Sequence, residues 1–419
     1  MRTDRRSHAP LTVEVEAGAV GFDAARLTRL DKHLERYVDD GRLPGWLVLI
    51  SRGGKILHLA THGRRDVEAG LPVEADTLFR IYSMTKPVTS VAAMMLYEEG
   101  AFDLRDPVSR FIPSFAGARV FKSGTTLRPA TVPATEPMRI WHLLTHTAGL
   151  TYGFLRQHVV DEMYRAAGFD GGLPPGMDLA ACCDAWASLP LLFEPGTAWN
   201  YSVATDVLGR VVEIASGRSL DRFFAERIFE PLGMSDTGFA VGPADSSRLA
   251  AMYLADRTGR AVRNDALGEW PRTPPAACSG GGGLVSTARD YHMFTKMLLA
   301  AGQLDGTRLL SGRTVRFMSR NHLPGKADLE TFGRPGFSVY PRSGLGFGLG
   351  FGVVDDPANN KAISSVGELS WGGAASTLFW IDPAEDLIVL FLTQLLPSAT
   401  NPMMLRSELR QLVYQALVD

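Results

Sequence analysis

Three short stretches hold side chains that could do nucleophilic chemistry together. The first, Ser83-Met84-Thr85-Lys86, is the only Ser-x-x-Lys in the chain. Residues three apart on a helix share a face, so the Ser83 hydroxyl and the Lys86 amine can touch. A serine hydroxyl is a poor nucleophile until a neighbour takes its proton, and a lysine can do so where burial disfavours its charged form. The sequence around it offers that burial. Pro87, Val88, Val91, Ala92, Met94, Met95 and Leu96 make the following run apolar almost all round, which predicts a central helix. A chance pairing of the two residue types is the plain alternative.

The second stretch is Phe193-Glu194-Pro195-Gly196-Thr197-Ala198-Trp199-Asn200-Tyr201-Ser202. Its Pro-Gly turn delivers Tyr201 to the junction with a helical run (Val207, Leu208, Val211, Val212), facing inward. A tyrosine beside a lysine ammonium ionises more easily and can act as a general base; otherwise it is a core aromatic with a satisfied hydroxyl. The third stretch is Trp371-Gly372-Gly373-Ala374, expected to open a strand. Paired glycines in a strand signal close approach by a ligand or by another backbone, and the amide that follows can point at a substrate oxygen. An ordinary bulge would look the same.

Something must bring three such distant stretches together. At 419 residues, 45% hydrophobic, with a formal charge of -2, the chain can bury a large core in one or two domains. Its charge balance leaves no footprint for nucleic acid or an anionic membrane surface. The first 18 residues, MRTDRRSHAPLTVEVEAG, are charged and lack the apolar core of a secretory signal. No stretch approaches the ~20 apolar residues of a membrane span. The expectation is a soluble, cytoplasmic protein without nucleic-acid or membrane partners. Cys182, Cys183 and Cys278 make neither a disulfide framework nor a zinc-binding pair and read as buried thiols. The nine histidines contain no H-E-x-x-H, no phosphate-binding loop is present, and no serine lies in G-x-S-x-G. No metal or organic cofactor is implied.

Residues 22–39 carry Leu27, Leu30, Leu34 and Val38 at helical spacing. Trp46 to Ile50, a Gly53-Gly54 turn and Ile56 to Leu59 then read as a hairpin. Near the other end, Gly346 to Val354, Ala374 to Ile381 and Leu387 to Leu395 read as strands, followed by a closing helix from Leu405 to Leu417. Both ends therefore build one sheet, and the helical periods between them form an insert. The predicted division is an α/β domain from residues 1–83 and 311–419, a mainly helical domain from 84–310, and the site at their interface. The Gly280 to Gly283 run predicts a close backbone approach, with Ser286 or Thr287 capping the next helix.

Ser-x-x-Lys, a tyrosine motif about a hundred residues on, and a small-residue strand motif near the C-terminus together resemble the class C β-lactamase and penicillin-binding-protein superfamily. The Trp-Gly-Gly form of the third motif resembles family VIII carboxylesterases. Trp141 to Leu150, Phe193 to Arg210 and Ser279 to Asp290 fit the same superfamily, so the resemblance runs from about residue 20 to the end. It implies a class C β-lactamase-like α/β fold, an antiparallel sheet flanked by helices with a mainly helical insert. It also implies Ser83 as acylated nucleophile, Lys86 and Tyr201 as the base pair, and the backbone N–H groups of Ser83 and Ala374 as oxyanion donors.

Two departures shape the expected substrate. Trp371 and Gly372 stand where lactamases and transpeptidases hold the Lys and Thr of Lys-Thr-Gly, so an apolar wall replaces a cation and favours neutral esters. Val203 stands where β-lactamases commonly hold the Asn of Tyr-x-Asn, which weakens β-lactam turnover, with Ser202 a partial substitute. The expectation is a serine carboxylesterase for short-chain esters with weak cephalosporinase activity. Trp371, Gly372, Gly373, Tyr152 and Phe154 would line the substrate site. His142 and His146 read as structural. An acyltransferase would use the same three residues. A D-amino-acid peptidase lacks its usual cation, and a non-catalytic binding relative would not need Ser83, Lys86 and Tyr201 intact.

Overall fold

The computed structural model describes residues 10–334, 343–397 and 402–419. The first nine residues of the charged N-terminal stretch lie outside the described residues.

The strand-forming runs near the two ends assemble one antiparallel sheet. Its strands are β1 (Gly45–Arg52), β2 (Lys55–Asp66), β3 (Leu71–Pro72), β4 (Leu345–Phe347), β5 (Gly352–Val354), β6 (Leu369–Gly372), β7 (Leu378–Asp382) and β8 (Leu387–Leu392), in the spatial order β4-β5-β6-β7-β8-β1-β2-β3. The two ends of the chain meet at the pairing of β1 with β8, where Leu47 faces Leu392 and Ile50 faces Val389. Five helices bear on the argument: α1 (Ala24–Asp39), α2 (Thr85–Glu98), α3 (Ala204–Ser216), α4 (Ala288–Leu299) and α5 (Pro402–Tyr414).

The central strands read as unbroken apolar runs because both of their faces are covered. Trp46, Val48 and Ile50 of β1, with Leu378 and Trp380 of β7, point into a core shared with Leu27, Leu30 and Leu34 of α1 and Leu405, Leu409 and Val413 of α5. Leu47 and Leu49, with Phe379 and Ile381, point to the opposite side, into the larger core that holds α2, α3 and α4. This is the two-residue alternation of a strand, apolar at every position. Asp23 caps α1 by accepting from the amides of Ala25 and Arg26, and its own amide donates to Ala416 O at 2.8 Å, so the first and last helices are tied together.

Helix α2 is buried from Thr85 through Leu96 and packs on α3. Helix α4 falls inside the stretch 84–310 read as the helical insert, yet it packs on the sheet. Its Tyr291 ring lies 5.3 Å from Phe379, and His292 Nε2 is 2.8 Å from Ser51 Oγ. Thr287 caps it, as the sequence predicts.

Several boundaries differ from the sequence reading. Gly346 to Val354 is a hairpin of two strands, because Gly350 at φ 105° turns the chain where a Cβ would stand 2.2 Å from Ser90 Oγ of α2. The third motif closes a strand: Trp371 and Gly372 end β6, Gly373 to Thr377 make a turn, and β7 starts at Leu378. Leu387 to Leu395 breaks after Leu392, and Leu395–Leu396 pairs in parallel with Tyr253–Leu254. No helix among the described residues is long and apolar enough to cross a membrane.

Candidate active site

The chain reaches Ser83 through a tight reversal. Phe79–Arg80 pairs with Val285–Ser286, Tyr82 takes the left-handed conformation at φ 43°, and a single 3-10 turn, Tyr82–Met84, leads into α2. A tyrosine rarely adopts that backbone. Here the next residue is thereby set, half-buried, at the N-terminal tip of the central helix, and Lys86 lies inside the first turn with 1% of its surface exposed.

Lys86 Nζ lies 3.3 Å from Ser83 Oγ, 3.1 Å from the Tyr152 hydroxyl and 2.7 Å from the Gly281 carbonyl oxygen. Tyr201, in the loop that ends at α3, places its hydroxyl 2.7 Å from Ser83 Oγ, and Lys86 Nζ sits 4.5 Å from the centre of its ring. Ser83 and Lys86, with Tyr201 more than a hundred residues further on, therefore meet around one hydroxyl. A serine oxygen held between a phenol oxygen and an amine is the arrangement that removes and returns a proton.

The Tyr201 ring is buried among aromatics. His146 lies 5.0 Å away, Tyr152 5.3 Å and Trp371 5.6 Å between ring centres. Trp371 also meets Phe347 edge-on at 5.3 Å. The second glycine of the pair, Gly373, has a steric cause. A Cβ on Gly373 would lie 2.4 Å from Ile81 O and 2.2 Å from Thr377 Oγ1, so this turn can run alongside the approach to Ser83 only without a side chain. Ala374 sits exposed on the rim of the turn, and no hydrogen bond to its amide is found among the described residues. Tyr152 joins the site through its hydroxyl, and its ring stacks on Phe154 at 4.7 Å. Phe154 is 46% exposed and makes the outer lip. Burial, with Asp206 and Tyr201 nearby, holds the Tyr152 phenol well above its ordinary range, so it stays protonated.

The histidines are not bases for Ser83. Burial, and then the charge of Lys86, pushes the His146 imidazole well below its usual range. Its Nδ1 pairs with Ser202 Oγ at 3.2 Å. His142 is lowered to about 4 by burial and Arg139, and its Nδ1 accepts from the Arg139 amide. The pairing with His146 also corrects an expectation. The Ser202 hydroxyl lies next to His146 and the Ala204 amide, and is not a substitute for the missing asparagine at Val203.

Sequence reasoning missed a set of groups beneath Lys86. The Gly281 carbonyl accepts from it, the Gly281 amide donates to Asp206 Oδ1 at 3.0 Å, and Ser279 donates to the same oxygen. The glycine run was the available signal. A Cβ on Gly281 would stand 2.3 Å from Asp206 Oδ2, and one on Gly280 2.8 Å from Thr205 O.

The beta-lactamase family profile matches residues 30–412. An uncharacterized protein of Mycobacterium tuberculosis is 41% identical over 362 residues, covering 86% of this chain and 88% of its own. Esterase EstB of Burkholderia gladioli is 34% identical over 395 residues, covering 90% and 92%. Among solved structures, EstCE1, described as a hydrolase with promiscuous acyltransferase activity, superposes with a TM-score of 0.79 at 29% identity, covering 93% of this chain and 98% of its own.

Proposed function

Because this chain belongs to the beta-lactamase family and is a serine hydrolase of its esterase and acyltransferase branch, we propose that it is a carboxylesterase that cleaves short-chain neutral esters through a Ser83 acyl-enzyme. The observation that carries the reading is the placement of Ser83 Oγ, 2.7 Å from the Tyr201 hydroxyl and 3.3 Å from Lys86 Nζ.

Tyr201, its own phenol proton passed to Lys86, takes the Oγ proton as Oγ bonds to the ester carbonyl carbon. The oxyanion is received by the backbone N–H groups of Ser83 and Ala374. As the carbon–oxygen bond to the alcohol breaks, Tyr201 returns the proton to the departing alkoxide. A water then enters along the same path, gives its proton to Tyr201, and releases the acid while Ser83 regains its hydrogen. No second charged group is required at the leaving-group side, since an alkoxide leaves more readily than an amide nitrogen.

Substrate class follows from the walls. Trp371, backed by the fully buried Phe347, packs with Tyr152 on the Tyr201 ring beside the nucleophile, and Phe154 extends this aromatic wall outward, where a carboxylate-bearing substrate would need a cation. Cephalosporin hydrolysis is accordingly slow, with Val203 offering no donor to an amide side chain. Acyl transfer to an alcohol is the second reading, favoured by the likeness to EstCE1. It differs only in which hydroxyl attacks the acyl-enzyme.

Intact-mass spectrometry tests the assignment. Incubation with p-nitrophenyl butyrate and, separately, a serine-directed phosphonate should add one acyl or phosphonyl group, mapped to the peptide containing Ser83, with release of p-nitrophenol. An adduct elsewhere, or none, refutes it. Adding a primary alcohol and finding its butyrate ester separates transfer from hydrolysis. Phe154→Ala should alter acyl chain-length preference; an unchanged preference removes Phe154 from the acyl pocket.

A further inference from the structure

The molecule holds one buried carboxylate beside the reacting groups that the mechanism above leaves unused. Asp206, in the first turn of α3, is 2% exposed, and no ion pair to it closes within 4.0 Å among the described residues. Burying an acid without a direct cation is costly unless donors surround it. Its Oδ1 takes two, the Ser279 hydroxyl and the Gly281 amide at 3.0 Å. Both are donors, so Oδ1 serves here as a double acceptor.

The same loop is the acceptor for Lys86. Gly281 O takes an N–H of Lys86 at 2.7 Å, and Gly280 O takes the Thr89 hydroxyl at 2.7 Å, one turn further along α2. Asp206 therefore fixes, from below, the peptide groups that fix Lys86 from the side. The space between them admits no side chain, since a Cβ on Gly281 would meet the carboxylate at 2.3 Å.

We propose that Asp206 is a positioning residue for the acyl-transfer chemistry: it holds the Gly280–Gly283 backbone as the acceptor of Lys86 and supplies the buried negative charge that balances the Tyr201–Lys86 pair when that pair carries the serine proton. The inference rests on the Ser83 acyl-enzyme reading. Burial, the largest influence, holds the carboxyl above its usual range, while Lys86, Ser279 and the Gly281 amide pull the other way. Four other titratable groups facing this region, Tyr152, His146, Cys182 and Cys183, are uncharged at pH 7. Tyr152 is raised well above its usual range and His146 lowered well below its own. On the neighbouring helix Leu179–Ala187, burial and Asp206 push the Cys182 thiol up to about 11 and Cys183 well above its ordinary value, with Arg210 opposing at Cys183. Lys86 is the charged group that acts on the Asp206 carboxyl.

Asp206→Asn tests the charge alone, because Oδ1 of an asparagine can keep both donors. Without the anion, the protonated form of the Tyr201–Lys86 pair loses stabilisation. The acidic limb of the kcat/KM profile for p-nitrophenyl butyrate should then move to lower pH by about one unit, with a plateau at least about tenfold lower because the base is weaker. Ser279→Ala removes a hydrogen bond and keeps the charge, so its limb should stay at the wild-type position. A profile for Asp206→Asn that overlays wild type overturns the proposal, as does a Ser279→Ala limb displaced equally far. If Asp206→Asn does not fold, a Ser279→Ala limb displaced by about one unit still overturns the proposal. Phosphonate labelling of wild-type Ser83, run alongside, reports on the esterase reading separately.

Discussion

Replacing Tyr201 by phenylalanine isolates one atom of the proposed chemistry. The Tyr201 ring is 4% exposed and held by His146, Tyr152 and Trp371, contacts that a phenylalanine ring repeats. The phenol oxygen alone is lost, together with its 2.7 Å bond to Ser83 Oγ. Removing a hydrogen bond of this kind lowers folding stability by about 1 kcal/mol. The effect on rate should be far larger. After the change, the remaining proton acceptor is Lys86 Nζ, 3.3 Å from Oγ and already engaged with Tyr152 and Gly281. Positioned general acid–base catalysis is worth about 10²–10⁴-fold, and at 1.36 kcal/mol per decade the loss is roughly 3–5 kcal/mol of transition-state stabilisation. Because the phenol acts on the moving proton and not on the resting ester, kcat and kcat/KM should fall together, with KM nearly constant. Initial rates with p-nitrophenyl butyrate at saturating and limiting concentrations measure both, and a thermal melt checks the fold. A folded Tyr201→Phe enzyme with kcat within about fivefold of wild type would refute the assignment, since that is below the least that such catalysis supplies.

Gly281→Ala places a methyl group 2.3 Å from Asp206 Oδ2. Overpacking of this kind costs about 1–3 kcal/mol, and moving Gly281 O away from Lys86 should reduce kcat at least about tenfold by the acid–base estimate; a melt and a rate assay measure the two. Trp371→Ala empties a buried aromatic site and should cost about 3–5 kcal/mol of stability, with KM for neutral esters rising more than kcat falls. Equal KM values across a panel of acyl chain lengths in mutant and wild type would count against Trp371 as a substrate wall. His292 on α4 is lowered to about 3 by burial and then by Lys296. Its folded value lies below the unfolded one near 6.5, so the unfolded chain binds the proton first, and stability present above pH 6.5 is lost as pH falls. Between pH 7.5 and 5.0 this amounts to about 2 kcal/mol. The drop in unfolding free energy over that range should be smaller by this amount in His292→Gln, measured by urea denaturation.

The alternation of two covered faces made the central strands legible as apolar runs, and Leu27, Leu30 and Leu34 marked α1 for the same reason: burial leaves a periodic trace. What the sequence hid were places where backbone contacts backbone. Gly350 reads as interior to a strand and Gly373 as part of the opening of one, although each turns or narrows the chain to avoid a neighbour, Ser90 in one case and Ile81 in the other. No periodicity reports such a neighbour, because it lies more than two hundred residues away. The same limit applied at the site. Ser83, Lys86 and Tyr201 were legible since their side chains carry the chemistry, and a reactive side chain in an apolar run stands out. The Gly281 carbonyl touches Lys86 at shorter range than Ser83 does, 2.7 Å against 3.3 Å, but a main-chain oxygen has no residue type to announce it. Only its consequence was visible, a run of four glycines where a flexible linker would have been too short to be useful. Asp206 is the converse case. Its type was in plain view, yet at the head of an amphipathic helix an aspartate ordinarily faces water and complements the helix dipole. It became informative once the fold showed that the first turn of α3 is buried, and that the carboxylate meets Gly281, where a Cβ would stand 2.3 Å from Oδ2.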